Sequence, residues 1–255
     1  MEKAALIRKI ISYTLVLTAA PAMVILFATV MPRRLFLLVA IAMAAVAVGA
    51  FCLNFEKEKD NGARTVLTAV FAALSTASRV VFAAFPGFKP IMSVTMFAGM
   101  YLGGDAGFLV GALTALLSNF VFGQGGWTPF QMLLWGLIGV AGGLFAPILK
   151  RSKIALCIGG ALSGILFSLL IDVWSTVWMK GTFSLPFHLG VITESLPFTI
   201  TYAVSNVIFM LILAEPMRKT MERAVVKFGI EEFRPVAAKK RSRKTEAENG
   251  EAGQG

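Results

Sequence analysis

The chain contains a long stretch without a charged side chain, which runs from Ala106 to Leu149. This stretch is more than twice as long as the about 20 apolar residues that cross a bilayer as one helix. Glycine disfavours helix continuation, and the run Gly123-Gln124-Gly125-Gly126 interrupts the stretch. An uncharged segment of this length cannot supply the polar surface of a soluble domain. It therefore predicts two neighbouring membrane-spanning helices.

The composition extends this conclusion to the whole chain. Hydrophobic residues make up 57% and charged residues 15%, against about 25% charged residues in a typical soluble domain. The mean hydropathy is +0.77. These values argue against a soluble enzyme and predict an all-α polytopic membrane protein. The two cysteines, Cys52 and Cys157, lie apart inside apolar runs, so we expect no disulfide framework, no metal site and no cofactor.

The apolar runs divide the chain into three regions. Residues 1–56 are predicted to form a two-helix transmembrane hairpin, residues 62–216 a six-helix core, and residues 217–255 a basic cytoplasmic tail that is largely disordered at its end. Ala20-Pro21-Ala22 imitates a signal-peptide cleavage site, but the apolar run around it continues to Met31 and favours a span. The predicted spans are Ile10–Met31, Leu35–Phe55, Arg64–Phe85, a short or irregular Pro90–Gly103, Asp105–Phe122, Thr128–Leu149, Ile154–Met179 and His188–Ala214.

The distribution of Lys and Arg predicts the orientation, because short cytoplasmic loops carry an excess of these residues. When Lys57–Arg64 is placed in the cytoplasm, Lys150–Lys153 and the basic tail fall on the same side, and both termini are inside. Only Arg33-Arg34 opposes this arrangement. The net charge of +10 is then explained by topology and contact with anionic lipid, and we expect no nucleic-acid partner. The predicted outer loops lie near Lys89, Gln124 and Lys180.

Sequence motifs of catalysis are missing from the chain. No phosphate-binding G-x-x-x-x-G-K-[ST] loop occurs, so we do not expect the chain to hydrolyse ATP by itself. No zinc-binding H-E-x-x-H motif occurs either. The single histidine, His188, is not accompanied by a G-x-S-x-G motif, which argues against a Ser–His hydrolase. We therefore expect a protein that is not an enzyme.

Polar and aromatic residues instead gather toward the outer side of the predicted core. Ionisable groups inside a membrane are costly and usually face a cavity or a partner. We expect Arg79, Asp172 and Glu194 to pair with each other or to line a pocket that opens to the outside. The alternatives are a snorkelling Arg79, a structural ion-pair network and an ordinary belt of interfacial tryptophans. The candidate ligand-binding residues are Arg79, Lys89, Asn119, Gln124, Trp127, Gln131, Asp172, Trp174 and Glu194.

The segment from Gly125 to Gly136 is the most distinctive part of the sequence. Thr128 is expected to cap a helix whose first residue is Pro129. Gln131 and Trp135 are four residues apart and share a helix face. An aromatic ring beside an amide is a suitable surface for a flat heterocyclic ligand.

Small residues recur every four positions at Ala69, Ala73 and Ala77. Small side chains let helices in lipid approach closely, so this alanine stripe packs either inside the bundle or against a partner subunit. The same spacing recurs in three glycine pairs, for which packing within the bundle is the ordinary explanation. The pairs are Gly107 with Gly111, Gly139 with Gly143, and Gly160 with Gly164.

Taken together, these features resemble the substrate-binding S component of energy-coupling factor (ECF) vitamin transporters. The resemblance covers residues 62–216 and rests on the alanine stripe, the short element after Pro86, the polar outer face and the G-x-x-T-P-x-Q-M-x-x-W run at Gly125–Trp135. It implies a subunit of an ABC-type importer in a bacterial cell membrane. Such a subunit captures a vitamin or related micronutrient from outside and works with a separate scaffold subunit and two ATPase subunits.

The resemblance also implies that Ala69, Ala73 and Ala77 contact the scaffold. Cobalamin is one candidate ligand. The hairpin at residues 1–56 and the long basic tail depart from the minimal six-helix pattern of these S components. Three other interpretations remain open. They are a stand-alone secondary transporter, a membrane enzyme that acts on lipid through Asp172, Glu194 and His188, and a scaffold or regulator that acts through the basic tail.

Overall fold

The computed structural model describes residues 2–57 and 62–228, and this part of the chain is helical, without strands. The predicted all-α fold, with two helices ahead of a six-helix core, is therefore confirmed. The charged segment at residues 58–61 and the predicted disordered end of the tail lie outside the described residues. The helices are α1 (Glu2–Val30), α2 (Arg33–Lys57), α3 (Ala63–Val81), α4 (Ile91–Leu102), α5 (Gly104–Phe122), α6 (Thr128–Leu144), α7 (Ala146–Leu149), α8 (Lys153–Lys180) and α9 (Leu185–Phe228).

Six of the described helices are long and apolar enough to cross a membrane, namely α1, α2, α3, α5, α8 and α9. The helices α4 and α6 are also apolar but have only 12 and 17 residues. At a rise of 1.5 Å per residue, 12 residues extend about 18 Å, less than the about 30 Å of the hydrocarbon core. The prediction of a polytopic membrane protein is confirmed, and so is the expectation of a short element after Pro86.

Two helix boundaries differ from the predicted spans. The predicted span Thr128–Leu149 is divided, because α6 ends at Leu144 and Phe145 caps it before the single turn of α7. Pro147 lies in that turn, and its missing N–H cannot continue the hydrogen bonds of α6. Conversely, α9 does not end at Ala214 but passes through Pro216 to Phe228. The first part of the predicted tail is therefore helical.

The centre of the fold is a tight contact between α4, α5 and α6. A Cβ atom added to Gly139 would overlap the backbone carbonyl of Gly107, and one added to Gly99 would overlap the carbonyl of Gly139. Glycine is required at these positions because the helix backbones touch. The glycines of α8 serve the same purpose against α9, where Gly164 faces the backbone of Tyr202. Packing within the bundle thus explains the glycine pairs.

The N-terminal hairpin packs against the six-helix core. The ring of Phe51 in α2 stacks on Phe108 in α5, with centroids 4.0 Å apart. The buried hydroxyl of Tyr13 in α1 donates a hydrogen bond of 2.8 Å to the Asp105 carboxylate. At the turn of the hairpin, the Arg33 side chain donates to the carbonyl oxygen of Trp178 at 3.1 Å. The hairpin is therefore anchored to the core at both of its ends.

The alanine stripe lies on an open face of α3. Ala69, Ala73 and Ala77 are all exposed, whereas Phe71 and Ser75 point into the bundle and are buried. The stripe therefore does not pack against other described helices of this chain. Its surroundings on α3 are also apolar and exposed, including Val66, Val70 and Leu74.

Candidate ligand-binding site

Most of the predicted site residues fall at one end of the helix bundle. This end combines the last turn of α3, the last turns of α5, the start of α6, the last turns of α8 and the start of α9. Antiparallel helices bring these segments together because each connection is short. Here the polar side chains form two hydrogen-bonded clusters with aromatic rings beside and between them.

The first cluster is built around Arg79 of α3. Its guanidinium Nη1 donates to Ser118 Oγ and, at 2.7 Å, to Asn119 Oδ1, both on α5. The guanidinium also lies over two rings, 4.5 Å from the centroid of Phe122 and 5.3 Å from that of Trp135. Arg79 is therefore held in place by neutral partners and does not snorkel alone.

Asn119 connects Arg79 to α6. It is fully buried, and its Nδ2 donates to Thr128 Oγ1 and to Gln131 Oε1, each at 2.9 Å. Gln124 joins the same cluster, because its Oε1 accepts a hydrogen bond of 2.9 Å from Thr128. Asn119, Gln124 and Gln131 are thus brought together with Arg79 as one polar network. A network in which each amide satisfies its neighbour holds these groups in a defined orientation.

Thr128 has a different place from the one its sequence position predicted. The N-cap residue of α6 is Trp127, so Thr128 is the first helical residue and Pro129 the second. The hydroxyl of Thr128 makes no capping bond to α6 but accepts from Asn119 and donates to Gln124. The prediction that Thr128 caps α6 is therefore wrong, and its hydroxyl belongs to the polar network of Asn119 and Gln124.

Lys89 lies in the segment between α3 and α4, at the edge of the first cluster. Its Nζ is 5.0 Å from the centroid of Phe122, the ring that Arg79 covers from 4.5 Å. Burial lowers the pKa of the Lys89 amine below its ordinary value, and the positive charge of Arg79 lowers it further. Two cations over one ring create a locally positive region, which favours ligand atoms with negative or partly negative charge.

The second cluster joins α8 and α9. Asp172 is buried and accepts a hydrogen bond from the hydroxyl of Ser195. One turn further along α8, Thr176 Oγ1 lies 2.9 Å from His188 Nδ1. A serine hydrolase needs its histidine on the serine hydroxyl. Here Ser195 donates to the aspartate while His188 contacts a threonine, so this arrangement does not form such a triad.

Three tryptophans form a group beside both clusters. Trp174 stacks on Trp178 with centroids 5.3 Å apart, and Trp127 meets Trp174 edge-on at 6.0 Å. Trp174 is buried, and its Nε1 has no hydrogen-bond partner. An indole N–H that is buried without an acceptor is costly, so this donor is suited to an acceptor on a ligand.

A second row of rings lies between the two clusters. Trp135 packs against Phe167 with centroids 5.8 Å apart, and Phe167 meets Tyr202 edge-on at 5.5 Å. Tyr202 is close enough to interact electrostatically with both Arg79 and Asp172. The Nε1 of Trp135 is also buried without a partner. The region between the clusters therefore presents flat apolar surfaces and the unsatisfied indole donor of Trp135, and Trp174 supplies a second such donor in the neighbouring tryptophan group.

Of the two arrangements expected for Arg79, Asp172 and Glu194, pairing of the arginine with either acid is not found among the described residues, and a pocket open to the outside stays a prediction. Arg79 bonds to Ser118 and Asn119, and within the described residues no ion pair connects it to either acid. Glu194 is exposed on α9 and lies outside both clusters. The physical reason is the helical rotation of about 100° per residue, which turns Ser195 inward and leaves Glu194 outside.

The structure adds site residues that the sequence interpretation did not include. Ser118 bonds to Arg79, Ser195 to Asp172, and Tyr202 lies between the clusters. A signal for two of them exists in the sequence. Ser195, Thr199 and Tyr202 have the spacing i, i+4, i+7 of a single helix face, and Thr199 bonds to Ser168 on α8. This polar stripe inside an apolar span marks the inner face of α9.

Metal binding has no support from the described side chains. Among residues 2–57 and 62–228, no group of three or more His, Cys, Asp or Glu side chains is placed to hold a metal ion. The candidate site offers instead one arginine, one lysine, one aspartate, one histidine, amides, hydroxyls and indole rings. This set can bind a flat organic molecule that carries several hydrogen-bond acceptors.

Comparison with known proteins gives one match. The family model described as ECF-type riboflavin transporter, S component, matches residues 57–219, which is more than half of the chain. The match begins at the end of α2 and includes every helix that contributes a side chain to the two clusters. No curated protein matches, and no solved structure matches.

Proposed function

Because the chain belongs to the family of ECF-type riboflavin transporter S components, we propose that it captures riboflavin on the outer side of the membrane for ATP-driven uptake. The family is one of transporter subunits that bind substrate, and not of enzymes. The single observation that carries the choice of ligand is the set of flat rings between and beside the two clusters, among which the indole N–H groups of Trp135 and Trp174 have no hydrogen-bond partner. Riboflavin combines a flat heteroaromatic ring system, rich in carbonyl and ring-nitrogen acceptors, with a polyhydroxylated side chain.

The two clusters suggest how each half of this ligand is held. The ring system would lie against Trp135 and Trp127 and would accept hydrogen bonds from Trp174 Nε1 and Trp135 Nε1. The hydroxyls of the side chain would exchange hydrogen bonds with polar groups such as Asp172 and Gln131. Shape supports riboflavin over cobalamin, because the site is built around flat rings and the ring system of riboflavin is planar.

A direct binding measurement tests this assignment. Riboflavin fluorescence is titrated with the purified protein in micelles, and quenching reports binding. Trp127→Ala is expected to weaken binding by more than about tenfold, which corresponds to about 1.4 kcal/mol. Phe120→Ala is the matched control, because Phe120 is an aromatic residue that is 73% exposed on α5 outside the site. Unchanged fluorescence with the wild-type protein, or equal losses in both variants, would contradict the proposed ligand or the proposed site.

The partner of this subunit is proposed to dock on the alanine stripe. Members of this family work with a scaffold and ATPases, and the exposed stripe Ala69, Ala73, Ala77 is suited to close helix approach. Ala73→Leu is expected to reduce co-purification with the scaffold while leaving riboflavin binding intact. Ala45→Leu on the exposed side of α2 is the matched control. Equal effects of both substitutions would assign no special function to the stripe.

Transport is proposed to follow from reorientation of the whole subunit. Ligand enters between the outer loops near Lys89, Gln124 and Lys180, the ATPases drive the scaffold, and the S component turns to release ligand inward. In this arrangement both termini are cytoplasmic. Cysteine labelling from outside tests the orientation, with Gln124→Cys expected to react and Lys153→Cys expected to be protected in intact cells.

A further inference from the structure

An apolar groove lies away from both polar clusters. It has a volume of about 390 Å³ and lies between α1, α6, α7 and α8. Among the described residues that line it, Ser163 has the only polar side chain, and its hydroxyl donates a hydrogen bond of 2.7 Å to the carbonyl oxygen of Gly160. The groove therefore offers no free polar group to a vitamin, and its occupant must be apolar.

The groove faces the surface of the helix bundle that lipid covers. On α8 one wall is formed by Ile158, Leu162 and Leu166, which repeat every four residues and are 54%, 49% and 53% exposed. The opposite wall includes Leu17 and Pro21 of α1. Between Ala155 and Leu170 the groove follows α8 for about 22 Å at 1.5 Å per residue. The N-terminal hairpin thus completes a long apolar groove at membrane depth.

The size of the groove distinguishes between a helix and a thinner occupant. A helix with a diameter of about 10 Å and a length of 22 Å fills about 1,700 Å³. The groove has about 390 Å³, several times less. The groove therefore cannot enclose a transmembrane helix of a partner or of a second copy, whereas a single hydrocarbon chain can lie along it.

One end of the groove is marked by positive charge. The loop Lys150–Lys153 is flanked in sequence by the lining residues Leu149 and Ala155. Arg151 and Lys153 are exposed, and neither has a hydrogen-bond or ion-pair partner among the described residues. Lys150 turns toward α4, with its Nζ 4.8 Å from the centroid of Tyr101.

The acidic residues at this end do not neutralise the loop. Glu215 and Glu222 of α9 pair with Arg218 at 2.7 and 2.8 Å, and Glu215 also pairs with Lys219 at 3.4 Å. The two cations beside the groove are thus available to an external anion. Basic residues next to a membrane attract anionic headgroups.

From the apolar groove and its basic end, we propose that the protein has a binding site for one anionic phospholipid. An acyl chain lies in the groove between α1 and α8, and the headgroup phosphate contacts Arg151 and Lys153. The hairpin, which supplies Leu17 and Pro21, gives this chain a lipid site that the six core helices alone do not complete. The site does not depend on the proposed vitamin ligand.

Native mass spectrometry of the full-length protein tests the proposal. The protein is released from micelles that contain equal amounts of phosphatidylglycerol and phosphatidylcholine with the same acyl chains. We expect one phosphatidylglycerol to be retained in preference to phosphatidylcholine. Ile158→Trp fills the groove and is expected to abolish retention. Ile212→Trp is the matched control, since Ile212 is 61% exposed on α9 and does not line the groove.

Removal of charge tests the headgroup end separately. The double substitution Arg151→Gln with Lys153→Gln is expected to lower phosphatidylglycerol retention by about thirtyfold and to leave phosphatidylcholine retention unchanged. Its control removes two charges from α9 through Lys219→Gln with Arg223→Gln. If Ile158→Trp does not fold, the comparison between these two double substitutions still tests whether the protein binds an anionic phospholipid at Arg151 and Lys153.

Three results would overturn the proposal. The first is equal retention of phosphatidylglycerol and phosphatidylcholine, and the second is an equal loss of lipid retention in Ile158→Trp and Ile212→Trp. The third is a change in the mass of a protein assembly in Ile158→Trp with no change in the number of bound lipids. The last result would identify a protein as the occupant. Riboflavin binding by Ile158→Trp is expected to equal that of the wild type, so failure of the lipid site is distinguishable from failure of the proposed function.

Discussion

Arg79 and Asn119 should depend on each other energetically, whereas Arg79 and Asp172 should not. The guanidinium of Arg79 donates to Asn119 Oδ1 at 2.7 Å, and Asn119 is fully buried. Asp172 belongs to the other cluster, where Ser195 donates to it. Replacing Asn119 with leucine keeps about the same volume and removes the acceptor of the Arg79 bond.

The size of this coupling follows from the type of bond. A hydrogen bond that involves a charged group contributes about 1.5–3 kcal/mol to stability, against about 1 kcal/mol for a neutral pair. In the Asn119→Leu variant, Arg79 keeps its bond to Ser118 and its contacts with Phe122 and Trp135. Asn119→Leu also removes the bonds to Thr128 and Gln131, but this loss occurs with and without Arg79 and cancels in a double-mutant cycle. We therefore expect a coupling of about 1.5–3 kcal/mol between Arg79→Met and Asn119→Leu.

Unfolding in mixed micelles by increasing sodium dodecyl sulfate measures the free energy of each variant without any ligand. The first double-mutant cycle combines Arg79→Met with Asn119→Leu. The control cycle combines Arg79→Met with Asp172→Asn and is expected to be additive within about 0.5 kcal/mol, because among the described residues no hydrogen bond joins the two side chains and they share no hydrogen-bond partner. The reasoning is refuted if the control cycle shows the larger coupling, since Arg79 would then be paired with Asp172.

Three other measurements follow from single contacts. Between the lowered pKa of Lys89 and its ordinary value of 10.5, the unfolded chain binds more protons, so the unfolding free energy should rise with pH, and Lys89→Met should remove this slope. Gly139→Val should destabilise the protein by about 1–3 kcal/mol or more in the same denaturation assay, whereas Gly190→Ala, with open space around it, should not. Tyr13→Phe should cost about 1.5–3 kcal/mol by removing the hydrogen bond to Asp105, and no loss would mean that α1 is not anchored there.

The sequence predicted most of the helices because apolar runs and the residues that end them are local signals. Gly123 has a positive φ of 97° at the end of α5, where the break in the uncharged stretch was expected. Local signals were less reliable at prolines. Pro147 accompanies a break after α6, but Pro216 lies inside α9. Neighbouring helices and water can satisfy the backbone near a proline, so its effect on a helix depends on the fold.

The candidate site was predicted in its location but not in its bonds. Membrane depth places Arg79, Asn119 and Gln131 on the same side, and the structure brings these three together. Which side chain bonds to Arg79 depends on the rotation of each helix about its axis. A single polar residue in an apolar run does not indicate this rotation. For this reason the sequence favoured the charged Asp172 as the partner of Arg79, whereas the structure provides neutral Asn119.

The neutral partners of Arg79 have a consequence for binding. A buried guanidinium that pairs with a carboxylate is neutralised, and little of its charge remains for a ligand. Ser118 and Asn119 instead hold Arg79 in position and leave its positive charge in place. On the other side of the rings formed by Trp135, Phe167 and Tyr202, the Asp172 carboxyl accepts a hydrogen bond from the hydroxyl of Ser195. The site therefore presents a cation on one side and a carboxyl group on the other, with flat rings between them, and this arrangement orients a ligand whose acceptors and hydroxyls lie at opposite ends.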